Sequence, residues 1–386
     1  MRRNKELIHR EDTTDRVFIF LEIFGLEGGI QSYVKNLLQA YLSHQLQTDC
    51  PTTTEVFLLR DSPACDNPLD VPPLKFHYLK TKPPLLGRLR LAVALGRCLW
   101  QRRPQHVFCG HINLAPLIQL LCQPLGIPYT VLTYGKEVWL PLPKAQRQAL
   151  ASATEIWTIS RYSRDRACVA NNLDPNKVKL LPCIVDGETF TPGPKPPALM
   201  ARYGLQDAKV LMTVARLWSG DIYKGVDVTI RAIPQIAQIF PEVKYLVIGR
   251  GDDRPRLEQL AIDLGVGDRV VFAGFVPTAD LPDHYRVADA YIMPSQEGFG
   301  IVYLEAMACG KPVLAGDADG SADPLQDGRL GWQVPHRDPD AVAAACIEML
   351  KGEDRRCDGQ WLREQTLIIF SKDAFPDRLK QLIVKG

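Results

Sequence analysis

The amino-acid sequence predicts an α/β protein made of two doubly wound, Rossmann-like domains that face a cleft. Short apolar runs, each followed by a glycine or polar turn and then by a stretch with helical periodicity, occur in both halves of the 386-residue chain. This order is typical of βαβ units, which build parallel sheets covered by helices. A proline-rich stretch, 191–200, separates two such series of similar size, so we expect one doubly wound domain on either side of it.

The first half, 16–190, contains the elements of one such domain after a charged N-terminal extension, 1–15. The run RVFIFLEIF at 16–24 predicts a buried strand, and IQSYVKNLLQAYLSH at 30–44 predicts a helix after a glycine turn. The same order recurs in HVFCGHINLAPLIQLLC, PYTVLTYG and EIWTISRYSRDRACVA, and KVKLLPCIVD closes this half.

The second half, 201–366, repeats this order after the linker. The runs KVLMTVARL, KYLVIGRG, RVVFAGFV, AYIMPS and PVLAG predict strands, with helical stretches such as KGVDVTIRAIPQIAQI and RPRLEQLAIDLG between them. DPDAVAAACIEMLKG predicts a helix that begins at an Asp338 N-cap and ends at a glycine. KDAFPDRLKQLIVK, within 367–386, predicts an amphipathic terminal helix.

Composition and charge exclude several classes of protein. Apolar residues make up 46% of the sequence and charged residues 23%, as in ordinary globular proteins. A net charge of +2 argues against nucleic-acid binding through bulk charge. The 10 cysteines include no CxxC pair or zinc-like spacing, which favours reduced thiols and a cytoplasmic protein. The N-terminus lacks the apolar core of a secretory signal, and no apolar run reaches the about 18 residues of a spanning helix.

The loop after AYIMPS holds two glutamates on either side of a predicted helix start. Glu297 is followed by Gly298, Phe299 and Gly300, and Glu305 lies inside the apolar stretch that comes next. A helix N-terminus favours phosphate, and glycine allows a ligand to approach closely. A carboxylate among apolar residues needs hydrogen-bond donors, which a ribose diol supplies, so the pattern fits a sugar nucleotide. Alternatively, Glu305 pairs with a buried arginine or lysine and Glu297 is solvated.

Other predicted strand ends carry basic residues and glycines. Arg216 and Lys224, in ARLWSGDIYKG, together suit a diphosphate, although either alone is more often a solvated surface charge. Gly249 belongs to a weak G-x-G signal for ligand contact. Gly28 and Gly29, in GLEGGIQ, fit close approach to a phosphate or sugar, or a tight turn without a ligand. Because GLEGGIQ is not the full G-x-G-x-x-G fingerprint, a dinucleotide dehydrogenase is disfavoured.

These motifs, in this order, resemble the retaining GT-B glycosyltransferases of family four. The resemblance covers nearly the whole chain after about residue 16 and rests on the Glu-x7-Glu element in SQEGFGIVYLEAMACGKPV, on ARL…KG, on GLEGGIQSYV and on LPCIVDGETF. It implies the GT-B fold, with the terminal helix crossing back to the first domain. It also implies retaining transfer of a hexose-type sugar from a UDP- or GDP-sugar to an acceptor hydroxyl, in polysaccharide or glycolipid assembly. No cofactor is expected, because the nucleotide-diphosphate sugar is a co-substrate, and no metal is expected, because no Asp-x-Asp carboxylate pair is well placed to hold one.

The resemblance also assigns roles to the candidate residues of the second half. Arg216 and Lys224 would bind the donor diphosphate, and Glu305 would bind the nucleotide ribose. Glu297 would contact the transferred sugar, helped by the backbone N–H groups of 298–300. Glu297, Arg216 and Lys224 are thus the expected catalytic residues, with Gly249 as a further donor contact.

The candidate residues on the acceptor or sugar side match the family pattern less closely than those on the donor side. Members of the family often carry a His-Gly pair where this chain has Tyr134 followed by glycine, at the end of TVLTYG. Tyrosine cannot replace a neutral imidazole at pH 7, so His111 and Glu137 are candidates beside Tyr134. His111 is equally well a structural histidine at a strand end, and Glu137 a cap of the next segment. Residues 28–29 would lie across the cleft, near the phosphates or the acceptor.

The stretch 83–104, PPLLGRLRLAVALGRCLWQRRP, interleaves arginine with Leu, Val and Trp. Such a helix suits the surface of an anionic membrane. It also suits a crossover helix that covers the first sheet and turns its arginines to water, which is the interpretation that the sequence favours. Membrane contact would place the protein peripherally at the inner face of the membrane and would favour a lipid-linked acceptor over a free carbohydrate.

Two other functions compete with the transferase. A nucleotide-sugar epimerase or a phosphorylase can share the two-domain architecture, but an epimerase would need further carboxylates in the cleft, and a glycogen-type phosphorylase would be far longer. A non-catalytic GT-B-like binding subunit is disfavoured by the presence of Glu297 and Lys224, although Tyr134 keeps it open. The sequence leaves the donor base, the sugar and the acceptor undetermined.

Overall fold

The computed structural model describes residues 14–47 and 51–385, which divide into two units, each with its own parallel β-sheet. Of the described residues, the first unit contains those up to Ile159, the segment Ser163–Leu181 and those from Phe375 on. The second contains Ser160–Tyr162 and Pro182–Ala374. The prediction of two doubly wound α/β domains is confirmed, and the last helix belongs to the first unit. The predicted domain borders at 190 and 201 stay predictions.

The first unit has a seven-stranded sheet. Its strands are β1 Thr14–Phe20, β2 Thr53–Leu58, β3 Leu74–Tyr78, β4 His106–Cys109, β5 Tyr129–Thr133, β6 Glu155–Thr158 and β7 Val178–Leu180. Their order is β3-β2-β1-β4-β5-β6-β7, and neighbouring strands are parallel. Its helices are α1 Gly29–Leu46, α2 Pro84–Arg102, α3 Ala115–Cys122, α4 Lys144–Ser152 and α5 Arg161–Asn171. The strands β4 and β5 are buried throughout, as expected for a sheet covered on both faces.

The second unit repeats this plan with six strands. They are β8 Lys209–Val214, β9 Val243–Ile248, β10 Val270–Gly274, β11 Ala290–Met293, β12 Val313–Gly316 and β13 Trp332–Val334, in the order β10-β9-β8-β11-β12-β13. Its helices are α6 Pro197–Tyr203, α7 Val226–Ile239, α8 Arg254–Asp263, α9 Leu281–Val287, α10 Ile301–Ala308, α11 Pro339–Lys351 and α12 Gly359–Phe370, and the last helix, α13 Ala374–Lys385, belongs to the first unit from Phe375 on. Apolar residues of α7, such as Ile230 and Ile233, enter the same buried core as Tyr245 and Val247 of β9.

Strand β1 is shorter than the predicted 16–24, because it ends at Phe20. The fully buried carboxylate of Asp61 accepts three backbone N–H groups of the following loop, from Ile23 at 2.6 Å, Phe24 at 3.1 Å and Gly25 at 2.7 Å. These bonds take the backbone out of the strand ladder before the apolar run ends. The resulting loop leads directly to the start of α1.

The residues at helix ends set the boundaries of α6 and α11. Helix α6 begins at Pro197, inside the predicted linker 191–200, so the non-helical part of that linker is shorter than predicted. Proline suits the first helical turn because its missing N–H would be unpaired there anyway. The predicted ends of α11 are confirmed: Asp338 accepts backbone N–H groups at 3.0 and 3.1 Å, and Gly352 ends the helix with φ of 75°.

No helix in the described part of the chain is both long and apolar enough to cross a bilayer. Nine cysteines have free thiols there, and the tenth, Cys50, lies outside the described residues.

Candidate functional site

The predicted donor residues gather at one edge of the second sheet. Its strand order reverses between β8 and β11, which are adjacent and parallel. Ligands of doubly wound sheets bind outside the carboxyl ends of the strands at such a reversal. The loop 215–225 leaves β8 with Arg216 and Lys224, and the loop 294–300 leaves β11 with Glu297. The topology therefore places these three side chains at the expected position.

An ion pair joins the two loops. The Nζ of Lys224 donates to Oε1 of Glu297, and the side chains are only 17% and 16% exposed. Burial alone lowers the pKa of Lys224, but the charges around it, chiefly that of Glu297, outweigh this and raise the pKa above its ordinary value. The ammonium is thus charged at neutral pH. The alternative of a solvated Glu297 is wrong.

Glycine allows the two loops to approach this closely. Gly225 has φ of 75°, and a Cβ there would lie 2.4 Å from the carbonyl oxygen of Pro294. The backbone N–H of Gln296 donates to the carbonyl of Tyr223 at 3.2 Å. A side chain at position 225 would push apart the segments that carry the cation and the carboxylate.

Arg216 is the more accessible of the two cations. Its Nη2 lies 2.9 Å from Oδ2 of Asp221, its side chain is 60% exposed, and its guanidinium lies 5.0 Å from the centre of the Trp218 ring. Its partner Asp221 is only 12% exposed, so the guanidinium is the solvent-facing member of the pair. The guanidinium is therefore accessible to a phosphate.

The turn between Glu297 and α10 depends on glycine. Gly300 has φ of 89°, and a Cβ there would lie 2.3 Å from the ring of Tyr303. The Phe299 side chain is buried against Phe370, with ring centres 5.9 Å apart, so only its backbone can face a ligand. Helix α10 has no side-chain N-cap, so its first N–H groups and the positive end of its dipole suit an anion.

Glu305 is the fifth residue of α10, as predicted. The hydroxyl of Tyr285, on α9, donates to its Oε2 at 2.7 Å. Burial raises the pKa of Glu305 to about 7, and the hydrogen bond from Tyr285 opposes this rise. Within the described ranges no arginine or lysine forms an ion pair with it, so the predicted alternative of a cationic partner is wrong. The other carboxylate oxygen can accept a ligand hydroxyl.

The structure gives Gly249 a packing role. Its φ is 142°, and a Cβ there would lie 1.8 Å from the carbonyl oxygen of Ala215. The loop after β9 thus supports the loop after β8, which carries Arg216. Ligand contact by Gly249 stays a prediction.

The predicted acceptor residues lie at the carboxyl edge of the first sheet. Tyr134 follows β5, is buried, and donates from its hydroxyl to the carbonyl of Gly110 at 2.8 Å. Its backbone N–H donates to Oε1 of Glu137, whose pKa is raised by burial. His111 follows β4, and its Nδ1 accepts the N–H of Asn113 at 3.1 Å. Burial, and then the charge of a nearby arginine, lower the pKa of His111, so it is a neutral imidazole at pH 7.

Backbone strain does not explain the two glycines at the start of α1, Gly28 as its N-cap and Gly29 as its first residue. Gly28 has φ of 170°, which any residue adopts, and a Cβ at Gly29 would have no atom within 4 Å. A Cβ at Gly28 would approach only the flexible end of Gln31, at 2.8 Å. Open space beside both glycines fits close approach of a ligand, which stays a prediction.

Helix α2, which lies within 84–102, has two different apolar stripes. Leu91, Leu95 and Leu99 are buried, whereas Leu89, Val93 and Trp100 are 60%, 64% and 67% exposed. Positions two residues apart lie on nearly opposite sides of a helix.

Exposed arginines accompany the outer stripe of α2; they are Arg88, Arg90, Arg97 and Arg103. The sequence predicts that the arginines of 83–104 face water or a membrane. Arg102 instead turns inward, and its Nε lies 3.5 Å from Oε1 of the buried Glu55 on β2. Its charge therefore helps to fix the helix on the sheet. Both predicted roles of 83–104 are compatible with this helix, since one face covers the sheet and the other presents apolar and basic residues.

Two residues that the sequence analysis did not single out contact the predicted ones. Tyr285 binds Glu305, and the carboxylate of Asp319 accepts the backbone N–H of Glu297. Neither belongs to a local motif, since both are 20 or more positions from their partners. Among the described residues, no group of three or more His, Cys, Asp or Glu side chains could hold a metal ion. Independence from metal and cofactor stays a prediction.

Residues 208–352 match the family model described as glycosyl transferases group 1. A GDP-mannose-dependent alpha-(1-6)-phosphatidylinositol monomannoside mannosyltransferase of Mycolicibacterium smegmatis is 38% identical over 232 residues, or 56% of this chain and 59% of the relative. A D-inositol 3-phosphate glycosyltransferase of Mycobacteroides abscessus is 35% identical over 212 residues, or 53% of this chain and 46% of the relative. This chain thus spans at most about three fifths of either relative's length.

A longer match is weaker. A GDP-mannose-dependent monoacylated alpha-(1-6)-phosphatidylinositol monomannoside mannosyltransferase of Corynebacterium glutamicum is 29% identical over 349 residues, or 85% of this chain and 87% of the relative.

Solved structures share the whole architecture. The HepE protein of Anabaena in complex with UDP has a TM-score of 0.77 at 18% identity and covers 97% of this chain and 100% of its own. Sucrose-phosphate synthase from Thermosynechococcus elongatus has a TM-score of 0.76 at 21% identity, with 96% and 98% covered. These likenesses show the fold, and the predicted GT-B class is confirmed.

Proposed function

We propose that the protein is a retaining, metal-independent glycosyltransferase of family four that transfers a hexose from a nucleoside diphosphate to a glycolipid acceptor. The observation that carries this proposal is the partly buried Lys224–Glu297 pair at the start of α10, with Arg216 and Glu305 on the same edge of the sheet. Similarity to GDP-mannose-dependent enzymes supports GDP-mannose as the donor.

The second unit supplies what the leaving diphosphate needs. Negative charge develops on it as the bond from the sugar C1 to the phosphate oxygen breaks. Lys224, Arg216 and the first N–H groups of α10 are fixed positive groups that stabilise this charge without rearranging. Glu305 accepts a ribose hydroxyl beside Tyr285, and Glu297 accepts hydroxyls of the transferred sugar.

Retention follows if the acceptor attacks from the face that the diphosphate leaves. The acceptor oxygen forms a bond to C1 while the C1–phosphate bond breaks, and the acceptor proton passes to the departing phosphate oxygen. The bonding electrons of the broken bond stay on the diphosphate. No side chain then has to act as the base, so Glu297 serves as a binding and electrostatic group.

The donor half is tested by transfer from labelled GDP-mannose, UDP-glucose and other nucleotide sugars, in EDTA, to phosphatidylinositol mannosides in mixed micelles. We expect transfer from one donor, and Lys224→Ala to reduce kcat by about 100-fold, the size of effect seen when one preorganised donor is lost. Lys209→Ala, at the opposite end of β8, is the matched control. Failure of every donor, or full activity of Lys224→Ala, would contradict the proposal.

The lipid half of the proposal rests on α2. An apolar stripe flanked by basic residues, opposite the buried face of the helix, is the pattern of an interfacial helix. Each basic residue near an anionic surface adds about 1 kcal/mol of attraction. The outer stripe thus suits the surface of an anionic membrane, and a glycolipid is an acceptor found there. A water-soluble inositol phosphate, suggested by the relative from Mycobacteroides abscessus, would need no such stripe.

Vesicle flotation tests this half. We expect the protein to float with vesicles that contain phosphatidylinositol and not with neutral ones, and the triple variant Leu89→Ser, Val93→Ser, Trp100→Ser to stay in the soluble fraction. Val169→Ser, at another highly exposed apolar position (86%), is the control. A wild-type protein that ignores anionic vesicles and glycosylates D-inositol 3-phosphate would refute the lipid acceptor while leaving the donor site intact.

A further inference from the structure

Asp319 lies just beyond β12, the strand next to β11, and is 3% exposed. Its Oδ2 accepts the backbone N–H of Glu297, and its Oδ1 accepts the backbone N–H of Ser321 at 2.8 Å. The adjacent Gly320 donates its N–H to the carbonyl of Glu297 at 2.8 Å. Two consecutive residues thus hold both polar backbone groups of Glu297.

The contact between these loops is close as well as polar. A Cβ at Gly320 would lie 2.0 Å from the carbonyl oxygen of Gly298 and 2.9 Å from that of Glu297. The loop 317–321 therefore presses on the turn 297–300. Any shift of Asp319 changes where Glu297 and the following N–H groups point.

We propose that Asp319 is a positioning residue of the donor site, which acts through the backbone of Glu297. It fixes the direction of the Glu297 carboxylate toward Lys224 and of the N–H groups of 298–300 toward the donor. The identity of the donor rests on the proposed function, whereas the constraint on the turn does not. Only an ionised carboxylate accepts hydrogen bonds on both oxygens without donating one, so the constraint is complete only when Asp319 is ionised.

The buried position of Asp319 and the charges around it make its constraint on the turn 297–300 sensitive to pH. Burial raises the pKa of Asp319 to about 7; the charge of Glu297 adds to the rise, and hydrogen bonds from Ser321 and the Glu297 backbone oppose it. Tyr303, on α10, also interacts with Asp319 electrostatically. As pH falls through 7, Asp319 gains a proton and the turn loosens, so kcat falls.

The test compares Asp319→Ala and Asp319→Asn with the control Asp338→Asn, which alters another aspartate that accepts two backbone N–H groups, at the start of α11. We expect Asp319→Ala to lower kcat by up to about 100-fold, the effect of a misplacement near 1 Å, with little change in donor KM. Asp319→Asn keeps one accepting oxygen and should recover part of this loss. The kcat of Asp319→Asn should not fall near pH 7. Its kcat/KM should still fall there, because Glu305 is unchanged in this variant.

Hydrogen exchange provides a readout that needs no activity. Asp319→Ala should speed exchange of the amides in 296–303 and leave the core strands of the second unit unchanged. Unchanged exchange in 296–303, or an Asp319→Asn variant with the wild-type kcat and its fall near pH 7, would overturn the positioning role. A wild-type protein without transferase activity would refute the proposed function, and the exchange result would still decide the role of Asp319.

Discussion

Replacing Glu305 with glutamine should stabilise the ligand-free protein. Burial raises the pKa of Glu305 from 4.5 to about 7. Between these pH values the unfolded chain loses the proton while the folded protein keeps it, so rising pH favours the unfolded state. Glutamine keeps the shape of the side chain and an oxygen for the Tyr285 hydroxyl, but carries no charge. The variant therefore escapes a cost that the wild type bears at neutral and alkaline pH.

The size of this effect follows from the pKa difference. Each pKa unit corresponds to about 1.4 kcal/mol, which gives a cost of about 3 kcal/mol at pH 8 and about 1 kcal/mol at pH 5. A change of 1 kcal/mol moves the Tm of a domain of 150–250 residues by about 2–4 °C. The Glu305→Gln variant should therefore unfold about 6–12 °C higher than the wild type at pH 8, and only about 2–4 °C higher at pH 5.

Thermal unfolding at pH 5 and pH 8, with and without nucleoside diphosphates, measures this. The control is Glu258→Gln on α8, where the carboxylate is 41% exposed and pairs with an exposed arginine, so its removal should change stability by less than about 1 kcal/mol. Ligand should raise the Tm of the wild type and of Glu258→Gln but not of Glu305→Gln. A variant less stable than the wild type at pH 8, or a stability difference that does not depend on pH, would refute the reasoning.

Three further substitutions probe the same loops. Gly300→Ala should destabilise the protein by about 1–3 kcal/mol in urea unfolding, because φ is positive and the new Cβ meets the Tyr303 ring; a neutral effect would contradict the strained turn. Tyr134→Phe should cost about 1 kcal/mol by the same measurement, since it leaves the buried carbonyl of Gly110 without this donor; loss of activity at unchanged stability would instead give Tyr134 a direct role. Arg216→Ala should raise the donor KM and lower the Tm, since it leaves the Asp221 carboxylate, which is only 12% exposed, without its cation; an unchanged KM would exclude Arg216 from the diphosphate site.

The positions of the candidate donor residues could be predicted because they belong to short motifs at the ends of strands. Lys224 and Glu297 follow two apolar runs that become adjacent parallel strands, and the carboxyl ends of such strands meet at one edge. The glycine-rich turn and the apolar helix with Glu305 in it could likewise be recognised locally. Chain order and periodicity were therefore sufficient to predict the plan of the second unit and to bring the candidate residues to one edge of its sheet.

Contacts between distant loops could not be predicted in this way. Asp319 and Tyr285 reach Glu297 and Glu305 only because the loop after β12 and helix α9, which follows β10, come to the same edge, and no sequence period links those positions. Strand β2 was not predicted from the sequence, for a related reason. Its Glu55 is 2% exposed but resembles a surface residue in the sequence, because its partners, such as Arg102, are remote.

The most direct test of the donor site is calorimetric titration of GDP, UDP and ADP into the wild type, Glu305→Ala and Glu258→Ala. We predict that one nucleoside diphosphate binds the wild type and Glu258→Ala equally. Its binding to Glu305→Ala should be at least about tenfold weaker, since a hydrogen bond to a charged group contributes about 1.5–3 kcal/mol. Equal affinity for Glu305→Ala, or no binding of any nucleoside diphosphate, would contradict a nucleotide-sugar site at the start of α10.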